Sequence, residues 1–90
     1  MTQDSTTDVV ALLADRITVV LGVDSPVTAE TRFDEDLHAD SLDLVEVVES
    51  VEKELRDRGF TVSVDDDALL GAATVGDAAR FIAAGLQEGP

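Results

Sequence analysis

Apolar side chains recur at helical spacing in three stretches of this chain, and between those stretches the period breaks down. Val9, Leu13, Ile17 and Val20 form a first stripe flanked by Val10 and Leu21, with Gly22 placed to end it. The pattern predicts a helix over about residues 7–21, with Ser5, Thr6 or Thr7 as N-cap and residues 1–6 frayed. Residues 23–40 hold Pro26, scattered Ser and Thr and no sustained period, so they predict a long loop. Phe33 and Leu37 are the residues best placed to pin that loop to a core.

The second stripe is the most regular. Leu44, Val47, Val48, Val51 and Leu55 fall within a sector about 100° wide at 100° per residue. They predict a helix from Ser41 to Asp57, capped by Asp40 and ended near Gly59. Its opposite face carries Glu46, Glu49, Glu52 and Lys53, and Leu42 and Val45 lie among these charges close to the first turn. Phe60, Val62 and Val64 alternate with polar residues, but no second strand is visible for them to pair with, so they predict an extended connector. Asp65–Asp67 open a short helix running to about Gly71. Thr74 caps a last helix over about 75–87, whose Val75, Ala78, Ala79, Ile82 and Leu86 form its buried side, leaving 88–90 as a tail. The expected fold class is all-α: a four-helix bundle with a short third helix and a long loop between helices 1 and 2, within a single domain spanning 1–90.

Charge narrows the function. The chain has 90 residues, and 20 acids against 6 bases give a net charge of −14. That excess disfavours nucleic acid and anionic membrane surfaces and favours protein partners with Lys/Arg patches. Residues 34–57 concentrate it, with ten acids against Lys53 and Arg56. No uninterrupted apolar run marks a signal peptide or spanning helix, since Asp4, Asp8, Asp15 and Arg16 interrupt the first 20 residues. With no cysteine, the chain suits a reducing cytoplasm, and it reads as a soluble monomer.

Candidate chemistry is sparse. His38, Asp40 and Ser41 contain the residue types of a catalytic triad, but three side chains within four consecutive positions do not converge as a triad requires. A lone histidine without cysteine leaves no zinc ligand set. Asp34–Asp36 and Asp65–Asp67 lack the alternating spacing, central Gly and terminal Glu of a calcium loop, and no glycine-rich phosphate loop is present. What remains is Ser41 at the first turn of an acidic helix, beside exposed Leu42 and Val45. A serine there is either an ordinary helix start or a site of covalent modification, where backbone N–H groups would favour an attached anion.

At these residues the chain resembles the acyl carrier protein family, whose modified serine lies in an Asp-Ser-Leu motif opening an acidic second helix. The match reads Asp36-Leu37-His38-Ala39-Asp40-Ser41-Leu42-Asp43-Leu44-Val45-Glu46. Phe33 stands where the family places a core aromatic, and Val64 through Val75 resemble its third helix and fourth-helix start, so the likeness spans about residues 7–87. The resemblance implies a carrier, not an enzyme. A phosphopantetheinyl transferase would move 4′-phosphopantetheine from coenzyme A to Ser41, and the arm's thiol would hold acyl groups as thioesters. Asp40 would support the modification site, while Leu42, Asp43, Val45, Glu46 and Glu49 would face ketosynthases and other acyl-processing enzymes with basic docking patches. No metal site is implied.

The chain also departs from the family: His38 replaces a usual Gly, Leu44 a smaller polar residue and Glu49 an apolar one, and Arg56–Thr61 is longer than in compact fatty-acid carriers. These departures favour a polyketide or other specialised acyl pathway over fatty acid synthesis. A peptidyl carrier and an unmodified acidic interaction module are the alternatives; Ala39-Asp40 before the serine, in place of Gly-Gly, counts against the first.

Overall fold

A computed structural model describes residues 5–62, 64 and 66–88. Three longer helices dominate it: α1 Ser5–Leu21, α2 Ser41–Asp57 and α4 Val75–Ala84, with the five-residue α3 at Asp66–Leu70. The chain is therefore mostly helical, as the periodicity implies. α1 packs against α4 and α2, and α3 bridges α2 and α4.

The core is formed by the predicted stripes. Leu44, Val47, Val48, Val51 and Leu55 of α2 are all buried, as are Val9, Leu13 and Ile17 of α1 and Val75, Ala78, Ala79 and Ile82 of α4. Each fully buried Val, Leu or Ile contributes about 1.5–3 kcal/mol relative to an exposed one, so these stripes supply most of the driving force. Val20 departs from expectation at 37% exposure, although it lies on the same angular face as Ile17. Leu12, which the stripe omits, is buried, and Leu21 at the end of the helix packs against the core. α1 also starts at Ser5, earlier than the apolar period reveals, because a first turn needs no apolar residue and its N–H groups need no intrahelical acceptor. Ser5 and Thr6, expected to be frayed, are thus helical; residues 1–4 lie outside the described residues. Gly22 ends the helix as expected, in a left-handed conformation of φ 67°.

The other end of the chain differs from the sequence reading. Phe60–Val62 is a true strand, β1, and its antiparallel partner is Leu86–Glu88, β2, in the register Phe60 with Glu88 and Val62 with Leu86. α4 stops at Ala84, because Gly85 caps it and donates its N–H to the Phe81 and Ile82 carbonyls. The helix expected to run to residue 87 thus ends three residues early, and residues 86–87 together with Glu88 of the expected tail form a strand. Leu86 fits either reading, since it packs against the core from the strand as it would from a helix. The residues after α2 form the turn at Arg58 and Gly59 and then the strand itself. Asp65, expected to open the third helix, and residues 89–90 lie outside the described residues.

The long loop between α1 and α2 is tied to the start of α4. Phe33 is buried, and its N–H donates to the Ala73 carbonyl at 3.1 Å. Val75 and Gly76 return N–H bonds to the Thr31 and Ala29 carbonyls at 2.9 and 2.8 Å. A side chain at Gly76 would put its Cβ 3.0 Å from the Ala29 carbonyl oxygen, so glycine is what lets the two backbones meet. Leu37 packs on the same core.

Candidate functional site

The pinned loop delivers the chain to Ser41. After Phe33 it turns sharply: His38 donates its N–H to the Asp34 carbonyl at 3.2 Å, and Ala39 donates to the Phe33 carbonyl at 2.8 Å. His38 takes up the reversal with a left-handed backbone, φ 51°. Asp40 then adopts the extended conformation of an N-cap. Its Oδ1 accepts from the Asp43 N–H at 2.9 Å, and Asp43 Oδ2 accepts from the Asp40 N–H at 3.3 Å, a reciprocal capping box. Ser41, the first residue of α2, is exposed.

This arrangement separates the sequence-predicted residues by role. The Asp40 carboxylate is held by backbone, and no hydrogen bond joins it to His38 or Ser41 among the described residues, so the three do not form a triad. Asp43 serves first as a cap residue and is half-buried. Leu42 is 67% exposed, a large apolar side chain offered to solvent next to the serine. Val45 is half-buried, while Glu46 and Glu49 stand exposed on the outer face of α2. Among the described residues, no group of three or more His, Asp or Glu side chains could hold a metal ion.

Leu70, Ala72 and Ala73, which no sequence pattern singles out, complete the surroundings. A cavity of about 190 Å³ lies beside Ser41, lined by Phe33, Ala39, Leu44, Leu70 and Ala72, with Asp34 and Asp40 also contributing. Its walls come from the loop, from α2, and from α3 with the residues after it, so no local pattern reveals it. Leu70 at 44% exposure is the second large apolar side chain near the serine. Its signal in the sequence was the Leu69-Leu70 pair, of which one member, Leu69, is buried.

The first turn of α2 has room for a covalently attached phosphate. The Ser41 and Leu42 N–H groups precede the first intrahelical acceptor and favour an anion. The Asp40 and Asp43 carboxylates oppose it, but at an exposed site such effects amount to about 1 kcal/mol or less. A covalent bond holds regardless of so small a balance. The exposed hydroxyl and the adjoining cavity therefore fit a phosphopantetheine group.

Comparison with known proteins agrees. Residues 11–82 match the family model described as "Phosphopantetheine attachment site". The chain is also 38% identical over 76 residues to an acyl carrier protein of Prochlorococcus marinus (strain MIT 9515), covering 84% of this chain and 85% of that protein. Acyl carriers of this family bear a covalent 4′-phosphopantetheine, work with phosphopantetheinyl transferases and acyl-processing enzymes, and are carriers without catalytic activity of their own. No helix among the described residues is long and apolar enough to cross a membrane. The capped acidic helix, the family model and the curated relative converge, and the chain belongs to the acyl carrier protein family.

Proposed function

We propose that Ser41 is the attachment residue and that the chain serves a polyketide or other specialised acyl pathway rather than fatty acid synthesis. The observation that carries the first part is the position of Ser41: exposed, first in α2, fixed by the capping box and bordering a cavity. Ser50, the other serine of α2, lies mid-helix and half-buried. When bound, the prosthetic group supplies a thiol that holds acyl cargo as a thioester. The protein's own residues orient it: Asp40 sets the helix start, and Phe33 holds the preceding turn.

Leu42, Asp43, Val45, Glu46 and Glu49 form the face read by the transferase, ketosynthase and related enzymes. Support for a specialised pathway comes from His38 in the turn, Glu49 on the docking face, and the β1–β2 pairing that the longer segment after α2 makes possible. In this reading α3 completes a four-helix carrier bundle, the chain is one carrier domain, and it acts as a cytoplasmic monomer.

The test is intact mass after co-expression with a broad-specificity phosphopantetheinyl transferase. Wild type is expected to gain the phosphopantetheine mass. Ser41→Ala is expected to gain nothing while keeping its helicity, because Asp40 still caps and alanine favours a helix. Modification of the alanine variant would place the attachment elsewhere and refute the assignment.

A further inference from the structure

Half of this chain's positive charge is gathered at the far end of α2: Lys53, Arg56 and Arg58 are three of its six Lys and Arg residues. From 40 to 49 the chain carries Asp40, Asp43, Glu46 and Glu49 with no base, whereas from 50 to 58 Glu52, Glu54 and Asp57 are balanced by those three cations. Two of the cations are already engaged. Lys53 Nζ pairs with Asp57 Oδ2 at 3.1 Å, and an Arg58 guanidinium nitrogen pairs with Glu54 Oε1 at 3.1 Å. Arg56 is exposed, and among the described residues it takes part in neither of these pairs nor in another within 4 Å.

Its position is specific. Seven-residue steps carry the helix almost two full turns, so Leu42, Glu49 and Arg56 lie on one line within about 40° of each other, successive residues about 10 Å apart. Moving away from Ser41, that line reads apolar, acidic, basic. Glu46, Glu49, Glu52, Lys53 and Arg56, with Ser50, border one shallow depression on this outer face. A face that served only to attract basic surfaces would not place its unpaired cation inside the contact strip.

We propose that Arg56 is a specificity-determining residue of the docking face, and that the phosphopantetheinyl transferase meets it with a carboxylate about 20 Å along α2 from the Leu42 contact. This rests on the reading of the outer face of α2 as the docking surface. The two-signed strip sets the direction in which the helix is read, because a partner docked in reverse opposes like charges at both ends. It also penalises uniformly basic surfaces that the chain's overall charge would otherwise recruit. The competing explanation is that Arg56 only complements the negative end of the α2 dipole.

The test is kcat/KM for phosphopantetheinylation of the full chain by the host's own transferase, with coenzyme A, across a range of ionic strength. Arg56→Glu makes an acidic chain more acidic, so attraction by net charge alone predicts a faster reaction. The proposal predicts the opposite sign: a fall of about three- to tenfold at low salt that closes as salt rises, with Arg56→Lys near wild type. A folded Arg56→Glu that reacts as fast as wild type, or faster, overturns it. A role confined to the helix dipole would lower Tm without that salt-dependent loss of kcat/KM, and that result overturns it as well. Glu46→Lys combined with Glu49→Lys tests the underlying reading separately. If that variant is folded and modified at the wild-type rate at low salt, this face does not dock the transferase at all; if it is slow while Arg56→Glu is not, only the role of Arg56 falls.

Discussion

Replacing His38 by glycine is expected to make the protein more stable. Among the described residues His38 is the one non-glycine with a left-handed backbone, φ 51°. That conformation costs an ordinary L-residue about 1–2 kcal/mol, with His among the types that adopt it more readily. Glycine removes the penalty but loses about 0.5–1 kcal/mol more backbone entropy on folding. The balance is a net gain centred on about 0.75 kcal/mol, within a span of about 0 to 1.5. Little else changes, because the imidazole is exposed and the turn is closed by backbone bonds that glycine keeps, from residue 38 to Asp34 and from Ala39 to Phe33. For a chain of this size, 1 kcal/mol moves Tm by about 4–8 °C, so His38→Gly should melt about 2–8 °C higher. His38→Val should melt several degrees lower, since a β-branched residue is the worst fit to positive φ. Thermal unfolding followed by circular dichroism reads both. A glycine variant no more stable than wild type, together with a valine variant equal to it, would show that the turn before Ser41 is not left-handed in solution.

Two further outcomes test the core and the α4 cap. Val48→Asp puts an unpaired carboxylate on the buried stripe of α2, at a cost of about 3–5 kcal/mol or more, close to the entire stability of a small domain; loss of the cooperative melt is expected, and a wild-type Tm would mean the faces of α2 are reversed. Asp77 sits in the capping box of α4, where the 2.6 Å bond from Arg80, then the Thr74 side chain and backbone, hold its carboxyl below the usual aspartate range against the effect of burial. A depressed native pKa adds stability that is complete above the ordinary value of about 4 and disappears as pH falls through the native one. The Tm deficit of Asp77→Asn should therefore be largest near neutral pH and shrink in acid; a deficit that grows below pH ~4 would contradict the assigned direction.

What was legible in the sequence is what local periodicity can carry. The stripe of α2 is buried residue for residue because five apolar side chains at one helical face have no competing arrangement, and Asp40 and Thr74 cap because each precedes a helix with Asp three positions later. The second strand was not legible. Leu86 satisfies a helical and an extended pattern equally, and its partner Val62 lies 24 residues earlier, beyond any local window. Val20 failed for a related reason: angle about the axis is readable from spacing, but which positions along that angle meet a neighbouring element is set by the tertiary packing.

The site divides in the same way, and the division explains how it is held. Ser41, Asp40 and the exposed Leu42 follow from the start of α2, but the loop that leads into that helix is held at residues 29–33 by a segment more than 30 positions away. Thr31, Phe33 and Ala29 trade backbone bonds with Ala73, Val75 and Gly76, so the turn before Ser41 is anchored on α4 rather than on α2. The cavity beside the serine is bounded by both ends of that linkage, Phe33 on one side and Ala72 and Ala73 on the other. The serine's position is thus a property of the tertiary fold, while its chemistry is a property of the motif.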